Sequence, residues 1–285
     1  MNFQKTRLPA GLYFVAVPIG TARDITLRAL DVLASADILA AEDTRSLRHL
    51  MDIHAVPLSG RQMMALHDHS SKVTTQKLVR AIKDGHSVAY ASEAGMPLIA
   101  DPGFELARGV VADNLFLTCA PGPSAVLNAL VLAGLPTDAF FFGGFLPNTS
   151  SGRLNAMERL RGIPGTLVFY ESPKRLAAML EDACIVLGAE RQAVVCRELT
   201  KKFEEVTRGT LGDLAEAYKN AKVKGEVVVL IDRERSDNVM EDDLEQQLRD
   251  ALDIYSMRDA VDLVAKANAV PRRRIYKLAL AMKEK

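Results

Sequence analysis

Short motifs of turn-forming and charged residues follow one apolar run after another in the first half of this chain. Glycine and proline in such turns let backbone groups approach a flat ligand closely, and in open α/β sheets the carboxyl ends of the strands form the ligand crevice. Each motif taken alone is explained as a plain turn, but five in succession favour a binding site. They are PIG (18–20), AEDTR (41–45), HDH (67–69), SEAGMPLIADPG (92–103) and APGPSA (120–125).

Several well-known reaction signatures are absent from the sequence. It has no G-x-G-x-x-G, Walker A, G-x-S-x-G or H-E-x-x-H pattern, which excludes the familiar dinucleotide, P-loop, hydrolase and zincin motifs. His67-Asp68-His69 offers two imidazoles and a carboxylate, but zinc needs a definite third or fourth ligand and no second cluster supplies one. We therefore predict no metal site, and a loop-organising or RNA-facing role for this motif.

Alternating strands and helices must position these motifs. Near-continuous apolar runs separated by amphipathic stretches predict a parallel sheet covered on both faces, which we assign to an N-terminal α/β domain over residues 1–120. The strand-like runs are 12–17, 37–42, 63–67, 87–92 and 115–120, and the helical stretches are 25–36, 44–53, 72–83 and 104–112.

A second series of strand-like runs predicts a C-terminal α/β domain over residues 121–235, with the hinge in APGPS at 120–124. The last three runs follow one another closely, which favours antiparallel pairing and a mixed sheet. The runs are 139–145, 166–172, 193–199, 203–210 and 225–232.

The final segment, residues 236–285, has a different character and predicts a helix-turn-helix-like tail. Helices are expected over 240–254 and 257–267, and from Pro271 to about Lys283. Residues 241–265 carry eight acidic and two basic side chains, whereas 266–285 carry seven basic and one acidic. This polarity favours phosphate binding by the last helix, although pairing between the acidic and basic helices is the alternative.

Composition bounds the remaining possibilities. Hydrophobic residues make up 48% and charged residues 25%, which excludes disorder and collagen-like structure. The 36 basic and 36 acidic side chains cancel, so no whole-molecule field recruits a polyanion and RNA binding would need local patches. Three cysteines without CxxC spacing, and the absence of a leader or spanning apolar segment, predict a cytoplasmic protein.

The ordered motifs resemble those of the tetrapyrrole methylase superfamily, and within it the ribosomal RNA small subunit methyltransferase I branch. The resemblance runs over about residues 11–232 and extends to the helical tail. Besides the five motifs above, it rests on DIT (24–26) after PIG, GFLP (144–147), YESPKR (170–175), RELTK (197–201) and KGEVVVLI (224–231).

The resemblance implies two α/β domains with S-adenosylmethionine folded into the cleft between them. It also implies a homodimer that methylates the ribose 2′-oxygen of a decoding-region cytidine in small-subunit ribosomal RNA, free or in the assembled subunit. Two alternatives stay open: a small-molecule methyltransferase acting on a tetrapyrrole, and a non-catalytic ribosome-binding protein. The basic tail argues against the tetrapyrrole substrate.

Cofactor contacts are carried over from the family by position. The chain departs from the usual pattern of the family in three motifs. Thr21 replaces the Asn that follows PIG, Glu93 and Met96 stand where the fourth-strand loop usually reads SDAGTP, and Ser70 replaces the last residue of HDHN. Tyr170 is equally explained as a strand-end core residue, and Glu226 as a strand cap. The expected contacts are Pro18, Ser92, Glu93, Ala94, Met96, Ser124, Ala125, Tyr170, Leu199 and Glu226.

A ribose hydroxyl needs a proton acceptor, and ribosomal RNA needs phosphate contacts. Asp101 is also a candidate N-cap for the helix at 104–112, which we favour slightly, and Glu42 can pair with Arg45. No single base emerges. The carboxylate candidates are Glu42, Asp43, Asp101, Glu171 and Glu198, and the RNA-binding candidates are Arg153, Lys174, Arg175, Arg197, Arg272, Arg273, Arg274 and Lys277.

Overall fold

A computed structural model of the chain describes residues 2–67, 72–234, 241–268 and 270–283. The first half forms a five-stranded sheet in the order β3-β2-β4-β1-β5. All its strand pairs are parallel, as the apolar runs predict. The strands are β1 (Gly11–Val15), β2 (Ile38–Ala41), β3 (Gln62–Ala65), β4 (Ser87–Ala91) and β5 (Leu117–Ala120).

Four helices cover this sheet, and three of them have the predicted bounds. Asp43 begins the second helix by accepting hydrogen bonds from the backbone N–H groups of Arg45 (2.7 Å) and Ser46 (3.4 Å), which fixes the start of that helix at Thr44. The first helix begins two residues later than expected because Thr26 is its N-cap. The helices are α1 (Leu27–Ser35), α2 (Thr44–Ile53), α3 (Lys72–Lys83) and α4 (Phe104–Ala112).

The second half forms another five-stranded sheet, in the order β6-β7-β10-β8-β9. Only the pair β6 and β7 is parallel, and the other three pairs are antiparallel, which confirms the mixed sheet. The strands are β6 (Phe140–Phe145), β7 (Thr166–Glu171), β8 (Gln192–Arg197), β9 (Glu205–Thr210) and β10 (Val227–Ile231).

Four further helices pack on the second sheet, one on one face and three on the other. The first of them follows the hinge directly, and its buried residues pack with Val194, Val228 and Leu230 of the sheet. The other three cover the opposite face, around Phe169 and Val229. The helices are α5 (Ala125–Ala133), α6 (Ser150–Leu160), α7 (Leu176–Leu187) and α8 (Leu211–Tyr218).

The tail folds into three helices with a hydrophobic cluster of their own, which includes Leu244, Val261 and Ile275. Ser256 is the N-cap of the second helix: its hydroxyl accepts from the backbone N–H of Asp259 (3.3 Å) and donates to the Asp259 carboxylate (2.6 Å). These bonds form only half of the expected capping box, which also needs a bond from the backbone N–H of the cap to the Asp259 carboxylate. In the described ranges, no helix is long and apolar enough to cross a bilayer. The helices are α9 (Glu241–Leu252), α10 (Met257–Ala267) and α11 (Arg272–Lys283).

Candidate functional site

A cleft of about 420 Å³ lies between the carboxyl edge of the first sheet and the second sheet, a volume within the usual range for small-molecule sites. Strands β1 and β4, adjacent at the centre of the first sheet, supply Ile19 and the loop at 93–101 from their carboxyl ends. The wall from the second half of the chain comes from β6, β7 and β10. It consists of Phe145, Tyr170, Glu171, Ser172, Pro173, Gly225, Glu226, Val227 and Val228.

The loop after β4 is held rigidly against the loop after β1. The backbones of Val17 and Gly95 exchange two hydrogen bonds, both 3.0 Å long. The Glu42 carboxylate accepts a further hydrogen bond from the backbone N–H of Glu93, at 3.1 Å. Gly95 has φ +73°, a left-handed conformation that glycine adopts at little cost. The sequence thereby fixes the shape of the cleft floor.

The two halves of the chain touch where the PIG loop meets the RELTK loop. The backbone N–H of Thr21 donates to the Thr200 hydroxyl at 3.2 Å. A Cβ at Gly20 would lie 2.5 Å from that hydroxyl and 2.8 Å from the Leu199 carbonyl oxygen. Only glycine permits this approach, which is the structural reason for the glycine of the motif.

The cleft is strongly acidic. Five carboxylates line it, and none of its described lining residues is lysine, arginine or histidine. Two of the carboxylates are neutralised from outside the cleft: Arg175 pairs with Glu171 at 3.1 Å, and Lys201 pairs with Glu226 at 3.0 Å. The other three lining carboxylates are Glu42, Glu93 and Asp101. The cleft as a whole has a field that favours a cationic ligand over a phosphorylated one.

Tyr170 forms a partly buried aromatic wall of the cleft. Burial, and secondarily the negative charge of Asp101, raises the pKa of its phenol to about 12. The phenol is therefore protonated at neutral pH and is available as a hydrogen-bond donor. Its ring contacts those of Phe142 and Phe145, at centroid distances of 4.9 and 5.7 Å.

The structure separates the five carboxylates that were candidates for the base. Glu42, Asp101 and Glu171 line the cleft, whereas Asp43 and Glu198 do not. Asp43 caps α2, and Glu198 is bound to Lys201 at 2.9 Å. Burial raises the pKa of Glu171, whose side chain is wholly buried beside Arg175.

Two local interpretations of these carboxylates were wrong. The N-cap of α4 is Gly103, with no side-chain capping bond, so Asp101 is not its cap. Arg45 pairs with Asp43 at 3.2 Å and is 91% exposed, so it does not form a buried pair with Glu42. The hydrogen bond that Glu42 makes to the backbone of Glu93 performs that organising role instead.

Seven of the ten expected cofactor contacts line the cleft and three do not. Pro18 and Ser92 line a smaller cavity of about 290 Å³, which shares Glu93 with the cleft. Leu199 is buried in the core between α5 and the second sheet. The seven are Glu93, Ala94, Met96, Ser124, Ala125, Tyr170 and Glu226.

Several lining residues escaped the sequence reasoning, although they stand in or beside the quoted motifs. Ile19 lies within PIG, and Phe145 within GFLP. Ser172 and Pro173 lie within YESPKR. The motifs were the signal, but nothing local distinguishes which of their residues faces the cleft.

Among the cations expected to bind RNA, those of the α/β domains are largely engaged with protein. Arg153 is buried, and its guanidinium bonds to the Asp182 carboxylate at 2.7 Å, so it is not available as a phosphate contact. Arg175 holds the carbonyl groups of residues 146 and 147, and Arg197 pairs with Glu205. Lys174 is exposed.

The tail presents a basic groove on α11. Arg273, Arg274 and Lys277 line it, together with Pro271, Leu278 and Ala281. Arg272 is instead paired with Asp262 of α10. Pairing between the acidic and basic helices therefore occurs at Arg272, while Arg273, Arg274 and Lys277 line an open groove.

The HDH motif is described only in part. His67 is described, whereas Asp68, His69 and Ser70 lie outside the described residues. Within the described ranges, no group of three or more histidine, cysteine, aspartate or glutamate side chains is arranged to hold a metal ion. The three cysteines are unpaired thiols, of which Cys196 is fully buried.

Family models match two parts of the chain. Residues 11–215 match the tetrapyrrole (corrin/porphyrin) methylases, and residues 238–283 match the RsmI C-terminal HTH domain. A curated relative from Mesorhizobium japonicum, "Ribosomal RNA small subunit methyltransferase I", is 41% identical and covers 98% of this chain and 96% of its own length. The relative of the same name from Escherichia coli O157:H7 is 38% identical, with 94% of each chain covered.

Solved structures with the same fold are more distant in sequence. The methyltransferase CobJ is 15% identical, with a TM-score of 0.59 over 79% of this chain and 95% of its own. Uroporphyrin-III C-methyl transferase from Thermus thermophilus, solved with S-adenyl homocysteine, is 16% identical, with a TM-score of 0.53 over 78% and 97%. These likenesses confirm the α/β architecture.

Proposed function

Since the chain belongs to the tetrapyrrole methylase family, and within it to the ribosomal RNA small subunit methyltransferase I group, we propose that it methylates the ribose 2′-oxygen of a decoding-region cytidine. The enzyme is an S-adenosylmethionine-dependent methyltransferase that acts on small-subunit ribosomal RNA. The observation that carries the proposal is the acidic, apolar-walled cleft between the two sheets. We expect the activity in the cytoplasm, where ribosomal RNA is found.

The residues of the cleft fit S-adenosylmethionine. When bound, it supplies a methyl group activated by a positively charged sulfonium, and it also carries an ammonium group. A cleft lined by carboxylates without a lysine, arginine or histidine among its described residues suits that charge. Ile19, Met96 and Val228 offer apolar surface for a flat ring, while Glu93 supplies a carboxylate at the floor.

Asp101 is the carboxylate that we assign to the ribose hydroxyl. It lines the cleft, and its charge acts on the Tyr170 phenol. A carboxylate there can accept the proton of an attacking 2′-hydroxyl or hold its lone pair in line. Glu42 is assigned to organising the loop instead, because its carboxylate accepts the backbone N–H of Glu93.

The substrate RNA is best accommodated outside the cleft, where the charge has the opposite sign. The groove of α11 is basic, and Lys174 is an exposed cation directly after the cleft-lining Pro173. Phosphates held by these cations would place a nucleotide near the cleft without bringing a phosphate inside it. The match of the tail to an RNA methyltransferase domain favours this substrate over a tetrapyrrole.

A homodimer is supported by the outer face of α5. This helix has no charged residue, and its inner face is buried on the second sheet. On its outer face, Leu127 and Val131 are 55% and 81% exposed one helical turn apart. Helices that are apolar all round are normally covered. We expect Val131→Glu to shift the sedimentation coefficient from dimer to monomer.

The decisive experiment measures transfer of a labelled methyl group to small ribosomal subunits from cells that lack this protein. We expect transfer by the wild type and none to a substrate with deoxyribose at the target, because only ribose carries the acceptor oxygen. Asp101→Asn should lower kcat at least about 100-fold with S-adenosylmethionine affinity retained, and Glu42→Gln is the matched comparison. Transfer to the deoxy substrate would indicate base methylation instead.

A further inference from the structure

Phe145 stands out among the cleft residues because it is an aromatic residue that is 57% exposed. It lies at the carboxyl end of β6, an edge strand of the second sheet. The ring lines the cleft and meets the Tyr170 ring edge-on, at 62° and 5.7 Å between centroids. An exposed aromatic face next to a ligand cleft offers a flat apolar surface on which a ring of the ligand can stack.

A β-bulge is what aims this ring at the cleft. Phe142 pairs with Val168, Gly144 with Phe169 and Phe145 with Tyr170, so Gly143 is one extra residue in β6. Without the bulge, strand alternation would place Phe142 and Phe145 on opposite faces. With the bulge they share a face, and both contact the Tyr170 ring.

The two glycines of the bulge are required by its geometry. A Cβ at Gly143 would lie 2.5 Å from the Phe169 ring, and Gly144 has φ +62°. Beyond Phe145, the Arg175 guanidinium fixes the chain by donating to the carbonyl oxygens of Leu146 (2.6 Å) and Pro147 (3.2 Å). The backbone that carries the ring is thus fixed before a ligand arrives, which lowers the entropy cost of binding.

We propose that Phe145 is the stacking platform for the base of the nucleotide that is methylated. This inference rests on the proposed function and adds a positioning residue to it. The acidic cleft disfavours a phosphate, so the nucleotide must enter through its uncharged base and ribose. Proteins read single-stranded RNA by stacking unpaired bases on aromatic side chains, and Phe145 offers such a face where the acidic lining begins.

The test compares three variants with the wild type in methyl transfer to unmethylated small ribosomal subunits. Phe145→Leu removes the aromatic face but keeps apolar bulk, whereas Phe145→Trp keeps a face. Phe203→Leu is the control, because Phe203 is 64% exposed and does not line the cleft. Affinity for S-adenosylmethionine is measured on each variant by calorimetry.

We expect Phe145→Leu to lower kcat/KM for the subunit about 10-fold to 100-fold, the range for loss of one stacked base. Phe145→Trp and Phe203→Leu should stay within about threefold of the wild type, and all affinities for S-adenosylmethionine should stay within about twofold. If Phe145→Leu retains the kcat/KM of the wild type, the stacking role is refuted and the proposed function is not affected. Equal losses of cofactor affinity and kcat/KM would reassign the ring to the cofactor. No transfer by the wild type would refute the proposed function, and the platform with it.

Discussion

Replacing Arg153 by methionine tests whether its buried ion pair with Asp182 stabilises the fold. The Arg153 and Asp182 side chains are 6% and 9% exposed, and their contact is 2.7 Å. Asp182 also accepts from the Ser150 hydroxyl at 2.8 Å, and Arg153 donates to the carbonyl oxygen of Asn148 at 2.8 Å. Removing one partner leaves a buried charge without compensation, which costs about 3 to 5 kcal/mol.

The double substitution Arg153→Met with Asp182→Leu separates the pair from packing. A buried ion pair can be replaced by apolar residues of similar volume at little cost. We therefore expect the double variant to recover at least half of the free energy of unfolding that Arg153→Met loses. Arg159→Met, at an exposed position of the same helix, should change stability by less than about 0.5 kcal/mol. Urea denaturation gives these values. A double variant no more stable than Arg153→Met, or a stable Arg153→Met with weakened RNA binding, would refute the reasoning.

Three further predictions concern the cofactor, the tail and the core. Glu93→Ala should weaken S-adenosylmethionine binding about tenfold by calorimetry, since a charge-assisted contact is worth about 1.5 kcal/mol or more; unchanged affinity would remove Glu93 from the site. Neutralising Arg272, Arg273 and Arg274 together should lower the log–log salt slope of RNA binding by at most about 3; an unchanged slope and affinity would make the tail a scaffold. Burial raises the pKa of the Cys196 thiol to about 11, so as the pH rises this thiol ionises in the unfolded chain before it ionises in the folded one. The free energy of unfolding should therefore fall by up to about 3 kcal/mol from pH 9 to pH 11. The Cys196→Ala variant should lack this part of the loss of stability at alkaline pH.

Local patterns in the sequence sufficed where local interactions decide the structure. Helix α2 begins at Thr44, as predicted, because its cap, Asp43, is adjacent in sequence. The parallel sheet could be predicted from the apolar runs alone, because strands that are buried on both faces consist almost entirely of apolar residues. The mixed sheet followed from the short connections between its last strands, which leave no room for a crossover.

Features set by distant partners were not predictable in this way. Arg153 appeared to be a surface cation because Asp182, which buries it, is 29 residues away. Phe145 was not predicted to line the cleft, because the bulge at Gly143 moves its side chain to the other face of β6. The Phe169 ring, on the neighbouring strand, leaves no room for a Cβ at Gly143. Leu199 belongs to a recognised motif, yet the packing of α5 places it in the core.

Although the total charge is zero, the fold places acidic and basic side chains in different regions: the cleft is acidic and the groove of α11 is basic. Arg175 and Lys201, two cations next to the cleft, form ion pairs with its carboxylates Glu171 and Glu226. The described lining of the cleft itself includes acidic side chains and no lysine, arginine or histidine. Arg273, Arg274 and Lys277 of α11 line an open groove outside the cleft, and Arg272 pairs with Asp262 of α10. An enzyme that joins a cationic methyl donor to a polyanionic acceptor must keep the two ligands from exchanging places, and opposite local fields do this without any net charge. In the binding mode proposed above, the uncharged base and ribose of the substrate pass from the basic field into the acidic one. An aromatic face beside the cleft would serve that step better than another cation, because it binds the base without neutralising the acidic lining.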